Sequence, residues 1–295
     1  MAGINQEQSA EDGIYCDVID GILMPPFFKQ KRSEAYKAWT VLPDDIYITS
    51  FPKSGTTWTQ HVVKLIKNNG KDDGVNTDKA MPWMEEAHPD EFKEMQSPRM
   101  FKTHMPYNLM FGGAPATSPS KFIYLARNPK DVSVSLYHHA KCFKLSDTEV
   151  AFPFSWDLFF EAFMTGQNHY GSWYDHVLPW WENKDAENIL FLKYEDRKKN
   201  PRQAVEKIAT FLSYNLDPDV LDSITQQSTF EAMKKNPATN WSWNKEKYTA
   251  EFVMMRKGVI GDWKNYYTPE QSKRMDEELK KQFPGTGLEF KFEEN

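Results

Sequence analysis

Lys53-Ser54-Gly55-Thr56-Thr57 puts a cation, a glycine and three hydroxyls into five consecutive residues. Such a turn gathers an anion. Glycine lets the backbone bend, free N–H groups and the positive end of a following helix dipole aim at one point, and the lysine adds charge. A phosphate fits best. The order is not that of a Walker A loop, because the lysine stands two residues ahead of the glycine instead of directly after it. Other apolar runs also end in groups that carry charge or hydrogen-bond: Lys102 with His104, Arg127, and Tyr194.

The elements that must position these groups alternate between strands and helices. From Asp45 to Thr49 the residues alternate, with Ile46 and Ile48 on one face, and Phe51-Pro52 ends the ladder. Trp58, Val62, Leu65 and Ile66 then follow helical spacing. Strands are expected at 99–104, 121–127 and 188–193, the last apolar throughout as in a sheet buried on both faces. Asn128-Pro129 should cap a helix running past Tyr137, and Asn200-Pro201-Arg202-Gln203 should open another with a capping box. Further helices are expected at 29–39, 156–164 and 173–181, the last disturbed by Pro179, with a final one capped at Thr268. This alternation predicts an α/β fold: one domain over 1–295, a central parallel sheet flanked by helices, and a P-loop-like turn. Ligands of such sheets bind beyond the carboxyl ends of the strands, where all four polar groups would converge. Residues 1–13 read as a flexible tail, and the aperiodic stretch 234–257 as a lid.

Composition narrows the function. The 295 residues carry a net charge of −6, which argues against nucleic acid as a partner, so any anion site must be a local cluster. Two cysteines suggest neither a disulfide framework nor a thiolate zinc site. His138 and His139 point to different faces of their helix, so no metal is expected there. No apolar signal core or membrane-length run occurs, and a cytoplasmic location with no membrane partner is expected. Ten tryptophans and twenty phenylalanines leave aromatic side chains to line an apolar pocket.

Five motifs in order resemble the cytosolic sulfotransferases, the PAPS-dependent family (PAPS is 3′-phosphoadenosine 5′-phosphosulfate). They are Phe51-Pro52-Lys53-Ser54-Gly55-Thr56-Thr57-Trp58, Lys102-Thr103-His104-Met105-Pro106, Arg127-Asn128-Pro129-Lys130-Asp131 with Ser135, Tyr194-Glu195-Asp196, and Arg256 through Lys264. The resemblance implies transfer of a sulfuryl group from PAPS to an alcohol, phenol or amine. It implies that the turn, with Lys53, Ser54, Gly55, Thr56 and Thr57, holds the 5′-phosphosulfate. Arg127, Ser135, Arg256, Lys257 and Gly258 would take the 3′-phosphate. The adenine would lie between Trp58 and Phe230, with Tyr194 and Ser228 hydrogen-bonding to it and Met233 beside the slot. His104 would be the base, Lys53 and Lys102 the electrostatic catalysts, and no metal would be needed.

Phe28, Trp83, Met84 and Phe143 are expected to shape a pocket for a small hydrophobic acceptor. Met254 stands where relatives commonly have phenylalanine. The family's C-terminal dimer motif is only partly kept, since Lys264 and Thr268 match while Pro269 and Lys273 do not, so a monomer or weak homodimer is expected. Two rival readings use the same turn: a nucleoside-phosphate kinase, and a relative that binds the nucleotide without catalysis.

Overall fold

The computed structural model describes residues 16–142, 144, 155–244, 247–249 and 251–294. The tail at 1–13 and the pocket residue Phe143 lie outside them. Strands β1 (Val18–Ile19) and β2 (Ile22–Leu23) form a small antiparallel hairpin. The main sheet consists of β3 (Ile46–Ser50), β4 (Met100–Thr103), β5 (Lys121–Ala126) and β6 (Ile189–Lys193). Its spatial order is β4-β3-β5-β6 and every pairing is parallel.

Period-2 alternation explains how β3 fixes the core. Ile46 and Ile48 pack in an aliphatic layer with Val62 and Leu65 of α2 (Thr56–Lys67) and with Val205 and Ile208 of α8 (Pro201–Phe211). Tyr47 points the other way, into an aromatic layer, where its ring stacks on Phe122 at 5.0 Å and on Phe101 at 5.4 Å. Trp180 of α6 (Trp173–Glu182) continues that layer by stacking on Tyr124 at 4.9 Å. With helices on both faces the sheet is the flanked parallel type that the alternation predicts.

The remaining helices are α1 (Gln30–Tyr36), α3 (Thr77–Ala80), α4 (Pro129–Lys141), α5 (Trp156–Met164), α7 (Tyr194–Lys199), α9 (Pro218–Gln227), α10 (Phe230–Lys235) and α11 (Pro269–Gln282). Asn128 caps α4 through Asp131 N–H, and Thr268 with Gln271 forms the full capping box of α11. Helix α6 runs through Pro179.

Strand β6 lies at the edge of the sheet and is packed on both faces, as its apolar run predicts, with Ile189 and Phe191 in the aromatic layer and Leu190 and Leu192 in the aliphatic one. Two expectations need correction. Asn200 makes no side-chain capping bond to α8; it also closes α7, where its N–H donates to Asp196 O at 2.9 Å. The stretch 234–257 begins inside α10, and from Asn236 onward its described residues show only turns, a bridge at Tyr248 and a 3-10 position at Lys247.

Candidate active site

The β3–α2 turn is built to leave its donors free. Lys53 and Gly55 both adopt left-handed backbone, at φ 70° and 113°. A Cβ on Gly55 would stand 3.1 Å from Leu125 and 3.3 Å from Tyr194, so glycine alone fits without displacement. Gly55 is the N-cap of α2, and no side chain caps the helix, so its first N–H groups remain available to an anion. Thr56 Oγ1 lies 2.7 Å from Ser50 Oγ, which ties the turn to the strand end. Lys53 Nζ donates to Met254 Sδ at 3.2 Å. Its surface is only partly covered because it borders a cavity, yet protein surrounds the ammonium. That burial, followed by Lys102, Arg127 and Arg256, pushes its pKa down to about 7. Ser54 is the exception in the turn. Its side chain is fully buried, its Oγ has no partner, and it does not line the cavity, so the structure does not bring this predicted donor residue to the ligand space.

At the end of β4, His104 is held from three sides. Its N–H donates to Glu85 Oε1 at 2.6 Å, and its carbonyl accepts from His176 Nε2 at 2.9 Å. Its Nδ1 lies 2.7 Å from Ser50 O. A carbonyl only accepts, so Nδ1 carries the proton and Nε2 keeps a lone pair. The hydrogen bonds of His104 among the described residues use its backbone and Nδ1 and none uses Nε2, and His104 lines the cavity. Burial, then Lys102, holds the ring well below the usual histidine range, so it is neutral at pH 7. Lys102 sits between two indoles, 4.0 Å from the Trp83 ring and 4.7 Å from the Trp241 ring.

A second group of cations lines the same cavity beside the turn. Arg127 donates to Val259 O at 3.0 Å and to Lys53 O at 3.3 Å, so it bridges the turn to the 256–264 segment. Arg256 and Lys257 both pair with Asp262, Lys257 at 2.6 Å, and together they pull that carboxyl down to about 2. Two cations against one carboxylate leave net positive charge. Asp131 fixes the segment by accepting from Gly261 N and Trp263 N. Phe230 lies directly over Gly258, where a Cβ would come within 2.2 Å of its ring. Trp58 Nε1 donates to Ser228 O at 3.0 Å, which sets the indole at the same end.

All of this opens on one cavity of about 1540 Å³. That exceeds the roughly 300–1,000 Å³ of a site for one drug-sized ligand, so two ligands fit together. Lys53, Gly55, Thr56, Thr57, Trp58, Lys102, His104, Arg127, Ser135, Tyr194, Ser228, Phe230, Met233, Arg256, Lys257 and Gly258 all line it. Trp83 lines it too, beside Lys102 and His104. Phe28 and Met84 do not: both are fully buried in the aromatic core, and their neighbours Phe27 and Trp83 face the cavity instead. The sequence reading also missed Tyr170, whose ring lies 5.6 Å from that of His104, along with Trp241, Glu85 and His176. Their chain positions carried no signal, since each acts through a neighbour distant in sequence. Among the described residues no group of three or more His, Cys, Asp or Glu is placed to hold a metal ion, and no helix is long and apolar enough to cross a membrane.

Known proteins place the chain in a family. Residues 43–287 match the family model described as the sulfotransferase domain. The chain is 42% identical over 266 residues to sulfotransferase 1B1 of Canis lupus familiaris, an alignment covering 85% of this chain and 87% of that protein. A mouse sulfotransferase complexed with PAP has a TM-score of 0.75 at 28% identity, over 92% of this chain and 94% of that one. A retinol dehydratase solved with retinol and PAP shares the fold, with a TM-score of 0.86 at 22% identity over 98% of this chain and 97% of that one. The kinase reading of the turn gives way to these matches: the chain belongs to the sulfotransferase family.

Proposed function

We propose that the cavity holds PAPS and a small hydrophobic acceptor together, and that His104 takes the acceptor's proton as its oxygen, or the nitrogen of an amine, attacks sulfur. The observation that carries this reading is the shared cavity wall. A neutral imidazole with a free lone pair, two lysines and an uncapped helix start face one space together with Arg127, Arg256 and Lys257. Bound there, PAPS supplies an activated sulfuryl group on a phosphate leaving group. His104 Nε2 accepts the hydroxyl proton while the new S–O bond forms and the bond to the phosphate oxygen breaks. Lys53 leaves Met254 to meet the charge that gathers on that oxygen, Lys102 meets the sulfuryl oxygens, and Thr56 and Thr57 donate from the helix start. Arg127, Ser135, Arg256 and Lys257 hold the 3′-phosphate, and Trp58 with Phe230 holds the adenine. Phe27, Trp83 and Tyr170 present an apolar wall to the acceptor, an alcohol, phenol or arylamine.

Sulfur-35-labelled PAPS, offered with EDTA present to a panel of phenols, steroid alcohols and arylamines, tests the reading. Label should pass to at least one of them. Tight PAP binding with no transfer across the panel would leave the chain a nucleotide-binding relative without catalysis.

The donor end gives two further expectations. Arg256→Ala leaves Lys257 matched one-to-one with Asp262, so the local surplus of charge disappears. PAP affinity should fall roughly tenfold or more, the worth of one charge-assisted hydrogen bond, while acceptor KM stays the same. Titration calorimetry and steady-state kinetics check the two halves. The pH dependence follows from Lys53. Its pKa of about 7 is lowered, so it is charged below that value and loses its charge as pH rises through it. Because kcat/KM for PAPS reports the free enzyme, it should fall above pH 7, approaching about tenfold per pH unit. A flat profile up to pH 9 would contradict the position given to Lys53.

A further inference from the structure

Arg197 opens the basic run Arg197-Lys198-Lys199, which in sequence looks like a solvated helix face. On α7 it turns inward instead. It lines the cavity, with its guanidinium carbon 4.4 Å from the centroid of the Trp58 ring and 4.5 Å from that of Tyr194. Arg127 lies 4.2 Å from the same tyrosine ring, so two guanidinium groups contact Tyr194. The two differ in their partners. Arg127 is engaged by Lys53 O and Val259 O and lies 3.8 Å from Asp131. Arg197 has no carboxylate within ion-pair distance among the described residues, and its Nε, like that of Arg127, is buried with no hydrogen-bond partner. Glu195 and Tyr194 favour its charge from nearby, and the ring faces offset some of the cost of burying it, but they leave N–H groups over. A ligand or water in the cavity completes the hydrogen bonds of such a guanidinium.

What completes them follows from position, and this step rests on the donor assignment above. Lys53, Thr56 and Thr57 serve one phosphate end, and Arg127, Arg256 and Lys257 the other. Trp58, against which Arg197 lies, is a wall of the base slot. A guanidinium only donates, and N1, N3 and N7 of adenine only accept. We propose that Arg197 is a specificity residue for the donor's base, and that its N–H groups donate to a ring nitrogen at the purine edge. The slot then does more than stack a flat ring: it selects a base that offers an acceptor at that edge.

Calorimetry with PAP and three analogues, in which CH replaces N1, N3 or N7 of the adenine, tests this on the wild type and on Arg197→Met. The wild type should bind one of the three about tenfold more weakly than PAP, the loss of one hydrogen bond to a charged donor. Arg197→Met should weaken PAP itself by a similar factor and erase the difference between PAP and that analogue. Equal binding of all four ligands by the wild type, or a difference that persists in Arg197→Met, would overturn the proposal. A cation that merely braces Trp58 and Tyr194 would weaken all four ligands alike. If the wild type bound no PAP at all, the donor assignment itself would fall, whereas PAP binding that ignores Arg197 sinks this proposal alone.

Discussion

Replacing His104 with alanine should lower turnover by roughly 10²–10⁴-fold, the contribution of a well-placed general base. PAP affinity should stay within about twofold, because a loss confined to kcat marks an interaction made only in the transition state. The expectation rests on what the substitution removes and what it leaves. The bonds to Glu85 and His176 come from the backbone N–H and carbonyl of residue 104, so both survive the change. Only the ring and its bond to Ser50 O are lost. That bond is worth about 1 kcal/mol of stability, too little to unfold a domain with a core of this size. Single-turnover transfer to 1-naphthol, measured beside PAP titrations, separates the two effects. A variant that turns over at the wild-type rate would remove His104 from the chemistry.

Lys53→Met should cost roughly 10²–10³-fold in kcat, as when a preplaced donor is removed from developing charge. Unlike Arg256→Ala, it should lower kcat more than it raises KM for PAPS, since Lys53 acts on charge that appears during bond cleavage. Lys53→Arg should not restore the rate. The lysine occupies a left-handed backbone position and reaches only as far as Met254 Sδ, 3.2 Å away, and a wider planar fork cannot take the same place. Quenched-flow measurement of the transfer step at saturating PAPS reads this directly. A Lys53→Met enzyme with normal kcat and raised KM would reduce the lysine to a binding group.

Much of this site was legible because its parts are local. The β3–turn–α2 unit shows its alternation, its stop at Phe51-Pro52, its glycine and its helix face within about twenty residues, and Asn128-Pro129 announces α4 just as openly. What stayed hidden depends on which residues meet across the fold. Phe27 and Phe28 are adjacent in a turn with no period to say which faces the cavity, and Trp83 and Met84 pose the same choice. Glu85 and His176 matter only because α6 and the loop before β4 both meet the backbone of His104. Arg197 was masked by the lysines that follow it. The edge position of β6 could not be read either, since an apolar run does not say whether a further strand lies beyond it.

The mechanism depends on an imidazole that is neutral at pH 7, protonated on Nδ1, with its other nitrogen turned to the acceptor. Nitrogen-15 NMR of histidine-labelled protein, with the His104→Ala spectrum used to assign the signal, observes that state. The predicted spectrum has His104 Nδ1 in the protonated range and Nε2 in the bare range, unchanged as pH is lowered through 6.5. An imidazolium at pH 7, or a ring protonated on Nε2 with Nδ1 bare, would contradict it.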